Sequence, residues 1–220
     1  RRNSDWNNHG QIIGRILATM PKITVYTAIT SGKDKLREDI LVFSEFSKFK
    51  DPVYNAKIYK VLPHKFLDCD ISIWVDGNIF LNVPPEQLVE EWLGDADMAL
   101  FKHPHRESIH WEMKWIEYQF RNSPDSPIIK DCREQFEHYK SIGFPRKTGV
   151  YNCGFMIRRH TPLVNQLNEK WWSEITRWSA RDQLSLPVVI REFPDLRVNG
   201  IVGEIRNHPY LRYEPHVIPS

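Results

Sequence analysis

The chain has 220 residues, 41% hydrophobic and 26% charged, with 10 Gly and 15 Pro, a profile that excludes a collagen, a disordered tail and a disulfide scaffold. Its net charge of +2, with the histidines neutral, is too balanced to point to a nucleic acid partner. The apolar runs are too short for a membrane-spanning helix, and Arg1 to Gly10 carries no apolar signal-peptide core.

Residues 1–19 are polar and Asn-rich before a short apolar run, and read as a leader, linker or appended segment; residues 20–220 read as one domain. Ile23 to Ile29 is β-branched and aromatic, stops at Ser31-Gly32, and predicts a strand. Ile40 to Phe43 predicts a second strand. Ile71 to Val75, apolar nearly throughout, predicts a third that is covered on both faces. Pro84-Pro85-Glu86 opens a helix with Leu88, Val89, Trp92 and Leu93 on one stripe and Gly94 as its stop. Met98 to Phe101 predicts a fourth strand. Ser108 to Phe120 and Pro127 to Ile142 each carry apolar residues at three- and four-residue steps and predict helices. Val150 to Ile157 predicts a strand containing Gly154. Thr161-Pro162 caps an amphipathic helix through Leu163, Leu167, Trp171, Ile175 and Trp178. A further helix starts at Arg181, and Val198 to Val202 predicts a last strand. This alternation predicts an α/β fold with a mixed, mainly parallel central sheet flanked by helices on both faces. Three cysteines, an odd count with no CxxC spacing, fit free thiols in a reducing compartment. Eight tryptophans suit carbohydrate or base stacking and equally a set of large core residues.

In such sheets ligands bind beyond the carboxyl ends of the strands. The polar residues there are Thr30 to Asp34, Asp76-Gly77-Asn78, Lys102 to Arg106, the end of the Cys153-Gly154 strand, and Asn207-His208. In Asp76-Gly77-Asn78 a buried strand runs into a carboxylate, a glycine and a second oxygen donor. Two such ligands on one tight turn can grip a divalent cation and leave positions open for phosphate oxygens; the same residues fit an ordinary Asp-Gly turn. His208 could complete such a site or be a surface histidine. Lys57, Lys60, His64 and Lys65 could face a diphosphate or form a solvated helix face. His103-Pro104-His105 with His110 lacks the further ligands of a zinc centre and reads as a substrate-facing loop. Ser179 to Gln183 fits a helix start, with Asp182 at the positive helix end. Asp182 and Gln183 could equally sit at a pocket rim, bonding sugar hydroxyls or stabilising positive charge on a sugar ring. The chain contains no GxGxxG, Walker, GxSxG or HExxH motif.

Three segments in this order, Ile71 to Asn78, Tyr151 to His160 and Ser179 to Ser185, make the chain similar to a glycosyltransferase-like family. That family includes plant Golgi proteins of wall-polysaccharide and mucilage synthesis, with viral and bacterial members that this compact chain resembles more. The resemblance spans about Ile23 to His208 and implies a GT-A fold in which an Asp-x-Asp-like motif holds Mn²⁺ or Mg²⁺ against a nucleotide diphosphate. Asp76-Gly77-Asn78 falls at that motif but departs from it, because Asn78 replaces the second Asp. By the same resemblance Asp76, Asn78 and His208 are the metal ligands. Thr27, Ala28, Thr30 and Asp34 cradle the base and ribose, beside Gly77, and Lys57, Lys60 and Lys65 serve the diphosphate. Arg181, Asp182 and Gln183 are the catalytic segment, and His103, Arg106, Glu112, Asn152 and Gly154 face the sugar or acceptor. The implied activity is hexosyl or deoxyhexosyl transfer from a UDP-sugar donor to a glycan or glycoprotein acceptor, with retention favoured over inversion. A cytoplasmic location, the host cytoplasm for a viral member, is expected. Two other readings compete. One is a metal-dependent phosphoester hydrolase built from Asp76, Asn78, His103, His105 and His208. The other is a carbohydrate-binding module exposing Trp111, Trp115, Trp171 or Trp172, whose helix-face positions predict burial instead.

Overall fold

The computed structural model describes residues 20–30, 34 and 36–216. Residues 1–19, read as a leader, linker or appended segment, lie outside them. The β-branched and apolar runs pair as strands: β1 (Ile23–Ala28), β2 (Leu41–Phe43), β3 (Ile71–Val75), β4 (Ile79–Leu81), β5 (Met98–Lys102), β6 (Tyr151–Arg159), β7 (Val198–Ile201) and β8 (Leu211–Tyr213). Six of them form the central sheet in the order β2-β1-β3-β6-β5-β7, and β4 pairs with β8 in a separate ribbon. β1, β2, β3, β5 and β7 run one way; β6 is antiparallel to both of its neighbours. The β5–β6 register breaks between Leu100, opposite Met156, and Phe101, opposite Asn152. Cys153, Gly154 and Phe155 therefore bulge out of that ladder, a device that re-aims backbone beside functional sites.

The helices are α1 (Pro52–Val61), α2 (Pro85–Leu88, continued by a π turn over Val89–Leu93), α3 (Ile109–Gln119), α4 (Pro127–Ser141), α5 (Pro162–Arg177) and α6 (Asp182–Arg191). Local chemistry sets several of their starts. Asp51, Ser108 and Thr161 accept hydrogen bonds from the amides of Val53, Trp111 and Val164, and Pro52 and Pro162 open α1 and α5 where no amide donor is needed.

Strand alternation divides the core into two faces. Tyr26, Trp74, Leu100 and Met156 pack against Val164, Leu167 and Trp171 of α5 and Leu186 and Val189 of α6. Ile71, Ile73, Val75, Phe101 and Phe155 pack on the other face against Leu88, Trp92 and Leu93. A third cluster joins α3, α4 and α6 through Ile109, Met113, Ile129, Cys132, Leu184 and Val188. Arg158 is fully buried within the first face. Burying a charge costs several kcal/mol unless it is bonded, and its guanidinium donates to Tyr26 Oη (2.8 Å), Asn168 Oδ1 (3.0 Å) and the carbonyls of Lys60 and Val61. Those last two bonds fasten the C-terminal end of α1 to the sheet. Among the described residues no helix is long and apolar enough to cross a membrane.

Candidate active site

A cavity of about 410 Å³ opens at the carboxyl ends of β1 and β3. Ala28 and Thr30 reach it from the end of β1, Asp76, Gly77 and Asn78 from the end of β3, and Lys57 and Lys60 from α1, where three-residue spacing puts them on one face. Asp34, Asn152, Gly154, Arg206 and His216 complete the polar wall. Lys60 Nζ lies between two carboxylates, 3.2 Å from Asp76 Oδ1 and 2.9 Å from Asp182 Oδ2, and Lys57 donates to the same Asp182 oxygen. Trp74 Nε1 fixes Asp76 Oδ1 at 2.9 Å.

Burial governs the protonation of this network. It would raise Asp182, but the ammonium groups of Lys57 and Lys60 overcome it and hold the carboxyl well below the usual carboxylate range. Burial likewise works against a charged Lys60, yet Asp182 and Asp76 leave its pKa raised. Lys57 is lowered, because burial outweighs its single carboxylate partner. Asp182 and Lys60 are therefore held in their charged forms. Space is conserved there too: a Cβ at residue 154 would sit 3.1 Å from Asp76 Oδ2, and one at residue 77 would sit 2.9 Å from Asp34 Oδ2.

A second, larger cavity of about 750 Å³ adjoins the first, with Asn152, Ile205 and Arg206 in the walls of both. His103, Arg106, Arg181 and Gln183 line it. Fully buried Glu112 lies beneath and holds both arginines, accepting from Arg106 Nη1 at 2.5 Å and from Arg181 Nη2 at 3.2 Å. Gln183 donates its amide to the Tyr151 carbonyl at 3.3 Å. Burial, with the Arg106 charge beside it, pushes His103 down to about 4, so the ring is neutral at pH 7.

The structure thus gathers Ala28, Thr30, Asp34, Lys57, Lys60, Asp76, Gly77, Asn78 and Gly154 at one cavity, and His103, Arg106, Arg181 and Gln183 at the other, with Asn152 shared. Other expected residues lie elsewhere. Thr27 is fully buried and lines neither cavity, and among the described residues its hydroxyl has no hydrogen-bond partner. Lys65 leaves the row of Lys57 and Lys60, because α1 ends at Val61 and a 3₁₀ turn over Pro63–Lys65 redirects the chain; it pairs with Glu169 at 2.7 Å. Asp182 lines neither cavity and is turned into the protein behind its lysines. His208 packs edge-on against Trp92, Phe101 and Tyr210, with ring centroids 5.0–5.6 Å apart, and lines neither cavity.

His216 occupies the place expected of His208. Tyr213 of β8 pairs with Ile79 of β4, the Glu214 amide donates to the Asn78 carbonyl at 2.9 Å, and His216 Nδ1 lies 2.7 Å from Asp34 Oδ1. Sequence reasoning missed it because the signal is the β4–β8 register. The hydrolase set is likewise dispersed: Asp76 and Asn78 line the first cavity, His103 and His105 the second, and His208 is in aromatic packing. Of the tryptophans expected to be buried on helix faces, Trp171 is buried and Trp172 half-buried, whereas Trp111 and Trp115 are exposed.

Among the described residues no three His, Cys, Asp or Glu side chains converge as a preformed metal centre. Asp76, Asn78, Asp34 and His216 nevertheless line one cavity, offering hard oxygen donors and one imidazole beside two glycines that keep side chains out. That donor chemistry fits Mn²⁺ or Mg²⁺.

The family model described as "TOD1/MUCI70, glycosyltransferase-like domain" matches residues 21–201. The chain is 26% identical over 181 residues to the probable hexosyltransferase MUCI70 of Arabidopsis thaliana, covering 75% of this chain and 30% of that protein. It is 25% identical over 173 residues to alkaline ceramidase TOD1 of the same plant, covering 75% of this chain and 37% of that one. The chain thus spans about a third of the length of these curated relatives. Among solved structures, a glycosyltransferase involved in the glycosylation of the major capsid of PBCV-1 aligns over 84% of this chain and 82% of its own, at 11% identity and a TM-score of 0.45.

Proposed function

The chain belongs to the TOD1/MUCI70 glycosyltransferase-like domain family, and from that premise we propose that it moves a hexosyl or deoxyhexosyl group from a UDP-sugar to a hydroxyl of a glycan or glycoprotein. One observation carries the reading. The first turn of α6 straddles the two cavities: Asp182 anchors the lysines of the smaller one, while its neighbours Arg181 and Gln183 line the larger. A donor in the first and an acceptor in the second meet at Asn152 and Arg206.

The chemistry follows from that division. The bond between the sugar's anomeric carbon and the diphosphate oxygen breaks, and its electron pair leaves on UDP. Lys57 and Lys60 neutralise that charge, held ready by Asp182, which acts as a positioning residue. The Gln183 amide, oriented by the Tyr151 carbonyl, offers its oxygen to the positive charge developing on the sugar ring. With retention, the acceptor's proton passes to the departing phosphate oxygen, so no separate protein base is required. Asp76, Asn78 and His216 are the residues that would hold Mn²⁺ or Mg²⁺, which supplies further positive charge to the diphosphate.

The test is calorimetry of UDP with Mn²⁺ and with chelator, on wild type and Asp76→Ala, followed by a UDP-sugar hydrolysis panel and a ceramide hydrolysis assay. Metal-dependent binding lost in Asp76→Ala, with hydrolysis of one UDP-sugar to the sugar of unchanged anomeric configuration, supports the reading. Folded protein that binds no UDP in either condition, or that cleaves ceramide and leaves UDP-sugars intact, overturns it.

A further inference from the structure

Seven tryptophans fall among the described residues, and only Trp111 and Trp115 are exposed, at 55% and 40%. Tyr118, at 56%, joins them. Their spacing of four and three residues puts all three on one face of α3. The opposite face, with Ile109, Met113 and Ile116, is buried against α4 and α6, so the helix is fixed and the aromatic face is committed to solvent. All three rings line the larger cavity, beside Arg181 and Gln183.

Single exposed aromatics are ordinary on protein surfaces. Three in register along one cavity wall are a different arrangement, and each is steadied by a cation. Lys114 lies 4.6 Å from the Trp111 ring centre, Arg106 5.0 Å from that of Trp115, and Arg121 4.4 Å from that of Tyr118. Trp115 and Tyr118 stack with centroids 5.6 Å apart and planes 29° from parallel. Rigid rings of this kind give large contact area at little entropic cost, and the part of each that stays open to solvent, 40–56%, suits the C–H face of a pyranose. At 1.5 Å per residue the row from Trp111 to Tyr118 extends about 10 Å, roughly two linked pyranose rings.

We propose that α3 is an acceptor platform: Trp111, Trp115 and Tyr118 bind a glycan chain of at least two or three sugars, so that the enzyme extends or decorates an oligosaccharide and discriminates against a free monosaccharide. This rests on the transferase reading and deepens it. The occupant is a carbohydrate because the platform opens, through Asn152 and Arg206, onto the cavity that holds the diphosphate-facing lysines. Polar groups with hydrogen-bonding capacity for hydroxyls, His103, Arg181 and Gln183, line the same cavity as the three rings.

The probe is an array of immobilised glycans carrying each chain type at lengths of one to six sugars, read with wild type, Trp115→Ala, Tyr118→Ala and Ile142→Ser, and with UDP calorimetry of the wild type in parallel. Ile142 is 59% exposed and lies outside both cavities. The expected result is binding to one chain type that strengthens about tenfold or more from one sugar to three. Loss of one ring should weaken trisaccharide binding by ~fivefold, on the scale of an aromatic contact, while Ile142→Ser keeps the length dependence. No glycan bound at any length, equal binding of one and three sugars, or length dependence that survives both aromatic truncations overturns the proposal. If UDP binds in those same cases, the donor site stands and the platform alone fails. If UDP does not bind, the transferase reading fails with it.

Discussion

Asp182→Asn removes the one carboxylate that buried Lys60 and half-buried Lys57 share. The side chains of Lys57, Lys60 and Asp182 are 15%, 7% and 13% exposed, so solvent does little to screen the loss. Among the described residues the variant leaves Lys57 with no ion-pair partner and Lys60 with Asp76 alone. Breaking one partner of a buried pair costs about 3–5 kcal/mol, which for a chain of this length lowers Tm by roughly 6–20 °C. Urea unfolding at pH 7 measures it. The pH dependence gives a second reading. The Asp182 carboxyl is held far below its usual 3.8, so its stabilisation is complete above that value and is lost only as pH falls toward the folded pKa. The wild type therefore has an acid limb below about pH 4 that Asp182→Asn flattens. Stability and function separate in the double variant Lys57→Met with Asp182→Leu, where an apolar pair replaces the ionic one. Such a swap recovers the part of the loss that falls on Lys57, while Lys60 keeps Asp76 alone, yet UDP affinity should stay about tenfold or more below wild type, because an ammonium of the first cavity is gone. An Asp182→Asn protein that loses less than about 1 kcal/mol and binds UDP like wild type would refute the positioning role.

Gly154→Ala places a methyl 3.1 Å from Asp76 Oδ2, 3.2 Å from Asn152 Oδ1 and 3.3 Å from Ile79 Cδ1. It should cost about 1 kcal/mol of stability and weaken calorimetric binding of UDP with Mn²⁺ well beyond that. Glu112→Gln removes the charge that Arg106 and Arg181 share and should cost about 3 kcal/mol in urea unfolding, with acceptor-dependent turnover falling more than donor hydrolysis. His103 and His160 are each pushed down to about 4, chiefly by burial, against 6.5 when unfolded. Their neutral forms are the folded ones, so stability is complete above pH 6.5 and falls as pH drops toward 4. Urea midpoints across that window follow it, and His160→Asn should shallow the slope.

The elements were legible where one periodicity dominates. Pro127 to Ile142 reads as a helix and forms one over Pro127–Ser141; Ile71 to Val75 reads as a doubly covered strand and is buried throughout. Asp76-Gly77-Asn78 was legible because a buried strand that ends in a carboxylate and a glycine points to its own carboxyl edge. Failures came where two patterns compete or where placement depends on distant pairing. α3 carries two apolar stripes, Ile109, Met113 and Ile116 on one face and Trp111, Trp115 and Tyr118 on another; composition does not say which faces the core, and the aliphatic one does. Lys65 shares a basic cluster with Lys57 and Lys60, but Pro63 cannot continue α1 and takes it off their face. His208 and His216 are equally plausible in sequence, and only the β4–β8 register sends one to the cavity and the other into aromatic packing.

The sheet's single reversed strand explains why the site stands where it does. In a fully parallel sheet every strand would bring its C-terminal end to the ligand edge, and a neighbour of β3 would contribute whatever followed it. β6 runs the other way, so its N-terminal end, Asn152 to Gly154, arrives beside Asp76, and the Asp76 amide donates to the Gly154 carbonyl at 2.8 Å. The bulge against β5 then frees Cys153 and Gly154 from the second ladder, while Asn152 stays opposite Phe101. Asn152 reaches the wall shared by both cavities and Gly154 leaves room at Asp76 Oδ2. Deleting one of the three bulged residues would shift Asn152 by one place along β6 and invert its face. Loss of UDP binding in a protein that still folds would then identify the bulge, and not the reversed strand alone, as the feature that builds the site.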